Sequence, residues 1–201
     1  MRSRYCRIRE ALVSRFTVSS LPLAGLQKIT RQTLGDNRGY LSRLFCSDEL
    51  RNVGWVKPIA QINHTFTQKQ GVVRGMHFQH PPHAEMKLVS CIRGEIWDVV
   101  VDLRKNSPTF LQWHAEKLSA NNHCALLIPE GFAHGFQTLT EDCELLYLHS
   151  APYSKECESG MNFLDPMLAI EWPLSITETS ERDTNHPLIS SNYKGITFYE
   201  M

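Results

Sequence analysis

From Leu34 to His149 the chain is cut at short intervals by glycine, proline and asparagine into runs of strand length, and almost none of them carries the 3.6-residue period of a surface helix. Short apolar runs between turn residues must pair with one another, because a lone strand leaves its backbone donors and acceptors unmet. The pattern predicts an all-β molecule with short peripheral helices, built as an antiparallel sandwich or barrel. Tyr40 to Phe45, Pro58 to Phe66, Pro108 to His114, Cys124 to Pro129 and Cys143 to His149 read as strands, and Ser47 to Asn52 as one helical turn. Leu34-Gly-Asp-Asn-Arg-Gly39 reads as a turn between strands, since Gly and Asn tolerate positive φ. Lys87 to Asp102 reads as two strands joined near Arg93-Gly94. In the second of these, Trp97, Val99, Val101 and Leu103 share an apolar face opposite Asp98 and Asp102.

Composition narrows the partners. The 21 basic and 21 acidic side chains cancel, which leaves no electrostatic pull toward a nucleic acid or a membrane surface. No apolar run reaches the ~20 residues that cross a bilayer as a helix. The six cysteines, Cys6, Cys46, Cys91, Cys124, Cys143 and Cys157, form no CxxC pair, and several sit in strand-like runs. They read as buried thiols in a reducing cytosol rather than a disulfide framework or a zinc site. Residues 1–21, with Arg2, Arg4, Arg7, Arg9 and Arg15 against Glu10, read as an N-terminal extension, and residues 22–201 as a single domain.

Proton-handling chemistry is concentrated in Gly71-Val-Val-Arg-Gly-Met-His-Phe-Gln-His80 and the lysine that follows at 87. If Met76 to His80 is extended, His77 and Gln79 share one face and Phe78 takes the other. The His77 strand and the turn in Pro129-Glu-Gly-Phe-Ala-His134 resemble the cupin double-stranded jelly roll, whose metal-binding members surround an ion with His-x-His, a Glu and a later His. Here Gln79 stands at the second ligand position, so His77, Glu85 and His134 make an incomplete shell, and no metal or other cofactor is expected.

Taken together and in order, Gly71 to Gln79, Lys87-Leu-Val, Val99 to Arg104 with Ser107-Pro-Thr-Phe110, Ile128 to Phe136, Leu146-Tyr147, and Asp165-Pro166 with Ile170-Glu-Trp-Pro173 resemble the dTDP-4-dehydrorhamnose 3,5-epimerase family. The resemblance implies a cupin epimerase domain that binds a nucleoside-diphosphate-linked 4-keto sugar, serves cell-surface polysaccharide synthesis and forms a homodimer. Protons on the carbons flanking the ketone leave as an enolate forms, and inversion requires a base on one face and an acid on the other. By resemblance His77 is the base, Asp183 the carboxylate that orients it, Lys87 the cation that stabilises the enolate oxygen and Tyr147 the acid. Arg74, Gln61, Asn63, His134, Arg38, Arg43 and Tyr153 match substrate-binding positions.

The family pattern has an aromatic residue and an acid where this chain has Leu41 and Arg43, so a nucleotide held differently, and not thymidine diphosphate, is expected. A 3-only or 5-only epimerase, a ketoisomerase and a catalytically silent sugar-binding cupin remain open. Against silence stands the retention of His77, Lys87, Tyr147 and Asp183 together, since simple binding needs no matched acid and base.

Overall fold

The computed structural model describes residues 14–198. Thirteen strands and two short helices follow one another: β1 (Phe16–Ser20), β2 (Gln27–Arg31), β3 (Thr33–Asp36), β4 (Gly39–Ser42), α1 (Ser47–Arg51), β5 (Gln61–Thr67), β6 (Val73–Gln79), β7 (Lys87–Arg93), β8 (Glu95–Asp102), β9 (Trp113–Ser119), β10 (Cys124–Ile128), β11 (Phe132–Thr138), β12 (Cys143–His149), β13 (Glu158–Gly160) and α2 (Glu181–Thr184). From β5 to β8 and again from β10 to β13 the chain alternates between two sheets. One has the order β1-β2-β10-β7-β12-β5 and the other β13-β6-β11-β8-β9, while β3 and β4 form a separate ribbon. Neighbouring strands in the two sheets pair antiparallel. This is the double-stranded jelly roll.

The two sheets pack face to face because each presents an apolar stripe with a period of two. Val89, Cys91, Leu126, Cys143 and Leu145 of the first meet Ile96, Val100, Phe132 and Phe136 of the second. The outer face of the five-stranded sheet, with Phe78, Val99, Val101 and Leu103, is roofed by Met161, Phe163, Leu168, Ile189 and Ile196 of the C-terminal segment. On the six-stranded sheet, Ile29, Leu88, Leu127 and Leu148 lie under Leu50 of α1 and Trp55.

β7 and β8 part at Gly94 into different sheets rather than forming a hairpin. Gly94 has φ +75°, and a Cβ there would meet Thr140 Oγ1 at 2.7 Å and Cys143 Sγ at 2.8 Å. Strand β8 is buried on both faces, so Asp98 and Asp102 point into protein, each held by hydrogen bonds.

Expectations change at several element boundaries: Leu34 to Asp36 belong to β3 rather than to a turn, the strand expected to reach Phe45 ends at Ser42, and the one expected from Pro58 begins at Gln61. Residues 108–112 are not strand: Asp102 gathers Arg104, Ser107 and Thr109 around its carboxylate, Leu111 takes φ +59°, and the strand begins only at Trp113. Residues 16–20, read as part of the extension, form an edge strand in register with β2 from Phe16↔Arg31 to Ser20↔Gln27. The remainder of that extension, residues 1–13, lies outside the described residues, as does Cys6. Cys46, Cys91, Cys124, Cys143 and Cys157 are free thiols, Cys91 and Cys143 buried as expected but Cys46, Cys124 and Cys157 only part-buried. Among the described residues no helix is long and apolar enough to cross a membrane.

Candidate active site

His77 and Gln79 do share a face of β6, and that face looks into the jelly roll. The strand is aimed by a bulge against β11, where the register shifts between His134 and Phe136. The bulge depends on two glycines. Gly75 has φ +128°, and a Cβ on it would stand 2.5 Å from the Cα of Gly135. With the strands this close, His77 faces His134 directly across the pair.

Asp183 reaches the site from α2. Ser180 caps that helix by accepting from the Asp183 backbone N–H at 3.0 Å, which turns the carboxylate inward. Its Oδ1 lies 2.7 Å from His77 Nε2, and its Oδ2 accepts from the Gly75 backbone N–H at 3.1 Å. Burial pushes this carboxyl up, but the hydrogen bonds and charge of His77, with help from Gly75 and Ser180, outweigh it and bring the pKa to about 2. An ionised Asp183 must receive the proton on His77 Nε2, so Nδ1 keeps the free lone pair. The Arg182 guanidinium, 2.9 Å from the same Nε2, therefore approaches without a hydrogen bond to it and adds positive charge beside the dyad.

The opposing sheet supplies the other groups. β7 carries Lys87, 7% exposed, with Nζ 3.2 Å from Glu85 Oε1 and 3.4 Å from the His77 carbonyl. β12 carries Tyr147 and His149 on the inward face, their rings stacked at 6.0 Å. The Tyr147 ring also meets that of His134 edge-on at 6.0 Å. Burial drives the Tyr147 phenol above its ordinary range, so it holds its proton at neutral pH. His134 is fixed in turn by Asp98, 2.8 Å from its Nε2.

Two recesses flank this group. A cleft of about 330 Å³ is lined by Arg74, His77, Arg182 and Asp183. A smaller one of about 70 Å³ brings together Gln61, Asn63, Lys87, His149, Tyr153 and Glu158. A larger apolar pocket of about 410 Å³, near Val56, Leu127 and Phe198, contains none of the expected acid and base residues.

The donor set does not suit a cupin metal. Gln79 spends its amide on the carbonyls of His83 and Pro152 and its oxygen on the Ser154 N–H. His77, Glu85 and His134 are each committed to a different partner, Asp183, His149 and Asp98. Among the described residues, His77, Asp183 and His186 offer donor atoms within 4.8 Å of one another, but Asp183 is already shared between His77 and Gly75, and Arg182 brings a cation to the same nitrogen.

A family profile, that of dTDP-4-dehydrorhamnose 3,5-epimerase, matches residues 20–191. The chain belongs to that family. It is 42% identical over 170 residues, 84% of this chain and 87% of the relative, to a dTDP-4-dehydrorhamnose 3,5-epimerase of Sinorhizobium fredii. It resembles the solved structure of the Bacillus anthracis dTDP-4-dehydrorhamnose 3,5-epimerase with TDP and PPi bound, at 37% identity and a TM-score of 0.84, covering 87% of this chain and 99% of that one. It also resembles the Legionella pneumophila epimerase in complex with dTDP-4-keto-L-rhamnose, at 33% identity and a TM-score of 0.84, covering 92% and 100%. The expected cupin fold and isomerase class are borne out.

For a dTDP-4-dehydrorhamnose 3,5-epimerase the fold gathers His77, Asp183, Lys87, Tyr147 and His134 as the buried and part-buried groups of the site, with Gln61 part-buried beside them and Arg74, Asn63 and Tyr153 exposed at the rim. It does not bring Arg38 or Arg43 there. Arg38 pairs with Asp36 at the tip of the β3–β4 ribbon, and Arg43 pairs with Glu49 of α1. Since Glu49 neutralises Arg43, the ground for expecting a charge-reversed nucleotide site falls away. Sequence reasoning passed over His149, Asp98, Arg182, His186 and Glu158, and weighed Glu85 only as a metal ligand. The period of two was the available signal for three of them: Glu85 is two before Lys87, His149 two after Tyr147, and Asp98 lies on the face opposite Val99. Nothing local marks His186, whose ring sits 5.9 Å from that of His77 and fills the space a Cβ on Gly160 would take.

Proposed function

We propose that this chain inverts C3 and C5 of a thymidine-diphosphate-linked 4-keto-6-deoxyhexose, in the cytoplasm and as a homodimer. The observation that carries the reading is the division of labour between sheets: His77, held by Asp183 of α2, stands on one, and Tyr147 with Lys87 on the other. A sugar ring lying between them meets a base on one face and an acid on the opposite face. His77 Nδ1 takes the proton α to the ketone, and Asp183 stabilises the imidazolium that forms. Negative charge collects on the C4 oxygen, where the Lys87 ammonium supplies a fixed charge in a site largely closed to water. Tyr147 then returns a proton from the other side. The resemblance to the TDP-bound relative supports the nucleotide, and Tyr153, 54% exposed at the rim, offers a ring on which a base can stack.

The β3–β4 ribbon supports the dimer. It is a sheet of its own that leaves Tyr40 and Leu41 63% and 66% exposed, so Arg38 and its neighbours can complete a partner's site rather than their own. Incubation with the thymidine diphosphate sugar in deuterated water tests the reaction: deuterium is expected at both C3 and C5, and none with a folded His77→Ala protein. Label at one carbon alone would make the chain a 3-only or 5-only epimerase, and label unaffected by His77→Ala would remove His77 as the base.

A further inference from the structure

Five side chains, joined by hydrogen bonds and a final ion pair, run without a break from the rim of the site to Lys87. The Tyr153 backbone N–H donates to Gln61 Oε1 at 3.0 Å, and Gln61 Nε2 donates to Asn63 Oδ1 at 3.0 Å. Asn63 Nδ2 lies 3.3 Å from His149 Nε2, and His149 Nδ1 lies 2.7 Å from Glu85 Oε2. Glu85 Oε1 then receives Lys87 Nζ at 3.2 Å. The roles of every atom agree with one assignment. An amide nitrogen can only donate, so His149 Nε2 must accept, which leaves its proton on Nδ1 to be donated to the Glu85 carboxylate. His149 is therefore held neutral, with Glu85 ionised.

We propose, resting on the function above, that Glu85 and His149 are positioning residues: they hold the Lys87 ammonium on the enolate oxygen and tie it to the loop at Tyr153. Lys87 has a long, freely rotating stem, so an ammonium without an anchor spends its charge over many positions. Glu85 supplies the anchor and His149 fixes the direction in which that carboxylate points. Burial pushes Glu85 up, but the His149 hydrogen bond and the Lys87 charge outweigh it and leave its pKa below the usual range. Titratable groups lining the same recess are His77 from β6, His149 from β12, Tyr153 and Glu158, and of these and Glu85 only Glu85 makes an ion pair with Lys87. The relay also links occupancy at the rim to the position of Lys87, because a ligand that moves Tyr153 or Gln61 pulls on its outer end.

The test reads Lys87 directly. In protein labelled with ¹³C at the lysine Cε, the Lys87 resonance is assigned by its loss in Lys87→Arg and followed against pH without substrate. Glu85→Gln is expected to lower its titration midpoint by about one unit, since an opposite charge at this distance favours the ammonium by that order. His149→Ala is expected to move it in the same direction by less, and His149→Gln, which can donate and accept as the imidazole does, to leave it where it was. In turnover, Glu85→Gln is expected to lower kcat about tenfold with KM little changed, as a misplaced catalytic group does. An unmoved Lys87 midpoint in Glu85→Gln, or a His149→Gln protein as impaired as His149→Ala, overturns the inference. A shifted midpoint with no epimerised product would instead count against the function proposed above.

Discussion

Asp183 serves two neighbours with two oxygens, orienting His77 through one and holding the Gly75 backbone N–H through the other. It is therefore part of the fold as well as the chemistry. Its folded pKa, about 2, lies below the unfolded value near 3.8, so its contribution is fully present above the higher figure and is lost as the pH falls toward the lower. We expect Asp183→Asn to cost about 2 kcal/mol at neutral pH and to flatten the acid limb of stability between those values, as read from urea midpoints across pH. Tyr147 is different, because in the proposed reaction it is needed only after the enolate has formed. Tyr147→Phe is expected to slow appearance of the epimer more than wash-out of the α-proton, and equal loss in both assays would rule out its role as the acid. His77, Lys87 and Tyr147 were legible because an ordered family pattern singles them out. Glu85 and His149 stand two residues from Lys87 and Tyr147, a spacing that could have flagged them, but their contact with each other comes from β12 pairing with β7, His149 opposite Lys87, which no local pattern encodes.

Strands with a clear period of two were readable in advance, and β7, β8, β10 and β12 fall where the alternation puts them. β9 begins late because Asp102 draws the preceding segment into turns, a nonlocal effect on residues whose own composition favours a strand. β1 alternates Phe16 and Val18 with polar residues over only five positions and β13 has three residues, so neither carries a distinctive pattern, and each exists because a neighbouring strand offers it an edge. The β6–β11 bulge is the element on which the site turns. Gly75→Ala forces a Cβ against the Gly135 backbone at a φ that L side chains resist, with a cost on the order of 1–3 kcal/mol. The expected result is a folded but less stable protein in which proton exchange falls further than the stability loss accounts for, as measured by denaturation and deuterium uptake on the same sample.

Over the whole molecule, the apolar area left uncovered is uneven. Ile62 and Phe66 on β5, 57% and 49% exposed, alternate with Gln61, Asn63 and Thr65 and so face away from the cavity, while Leu34, Tyr40 and Leu41 crowd the ribbon. Exposed patches of this kind mark contact surfaces. Ile62→Glu with Phe66→Glu is expected to yield a monomer in sedimentation equilibrium, with nucleotide binding reduced in parallel. A monomer that binds thymidine diphosphate at full strength would mean the ribbon adds nothing to a partner's site. The fold class was readable from turns and alternation, whereas this surface was not, because an exposed isoleucine on an edge strand looks the same in sequence as a buried one.

The layer of Val89, Leu126, Leu145, Phe132 and Phe136 between the sheets also acts as a spacer. In the reaction proposed above it keeps apart the sheets that carry His77 and Tyr147, so that the two groups meet opposite sides of a flat ring. Residues that never meet the sugar thereby help hold the geometry on which inversion depends, and slackness in that layer is expected to appear as incompletely inverted product before it appears as lost turnover.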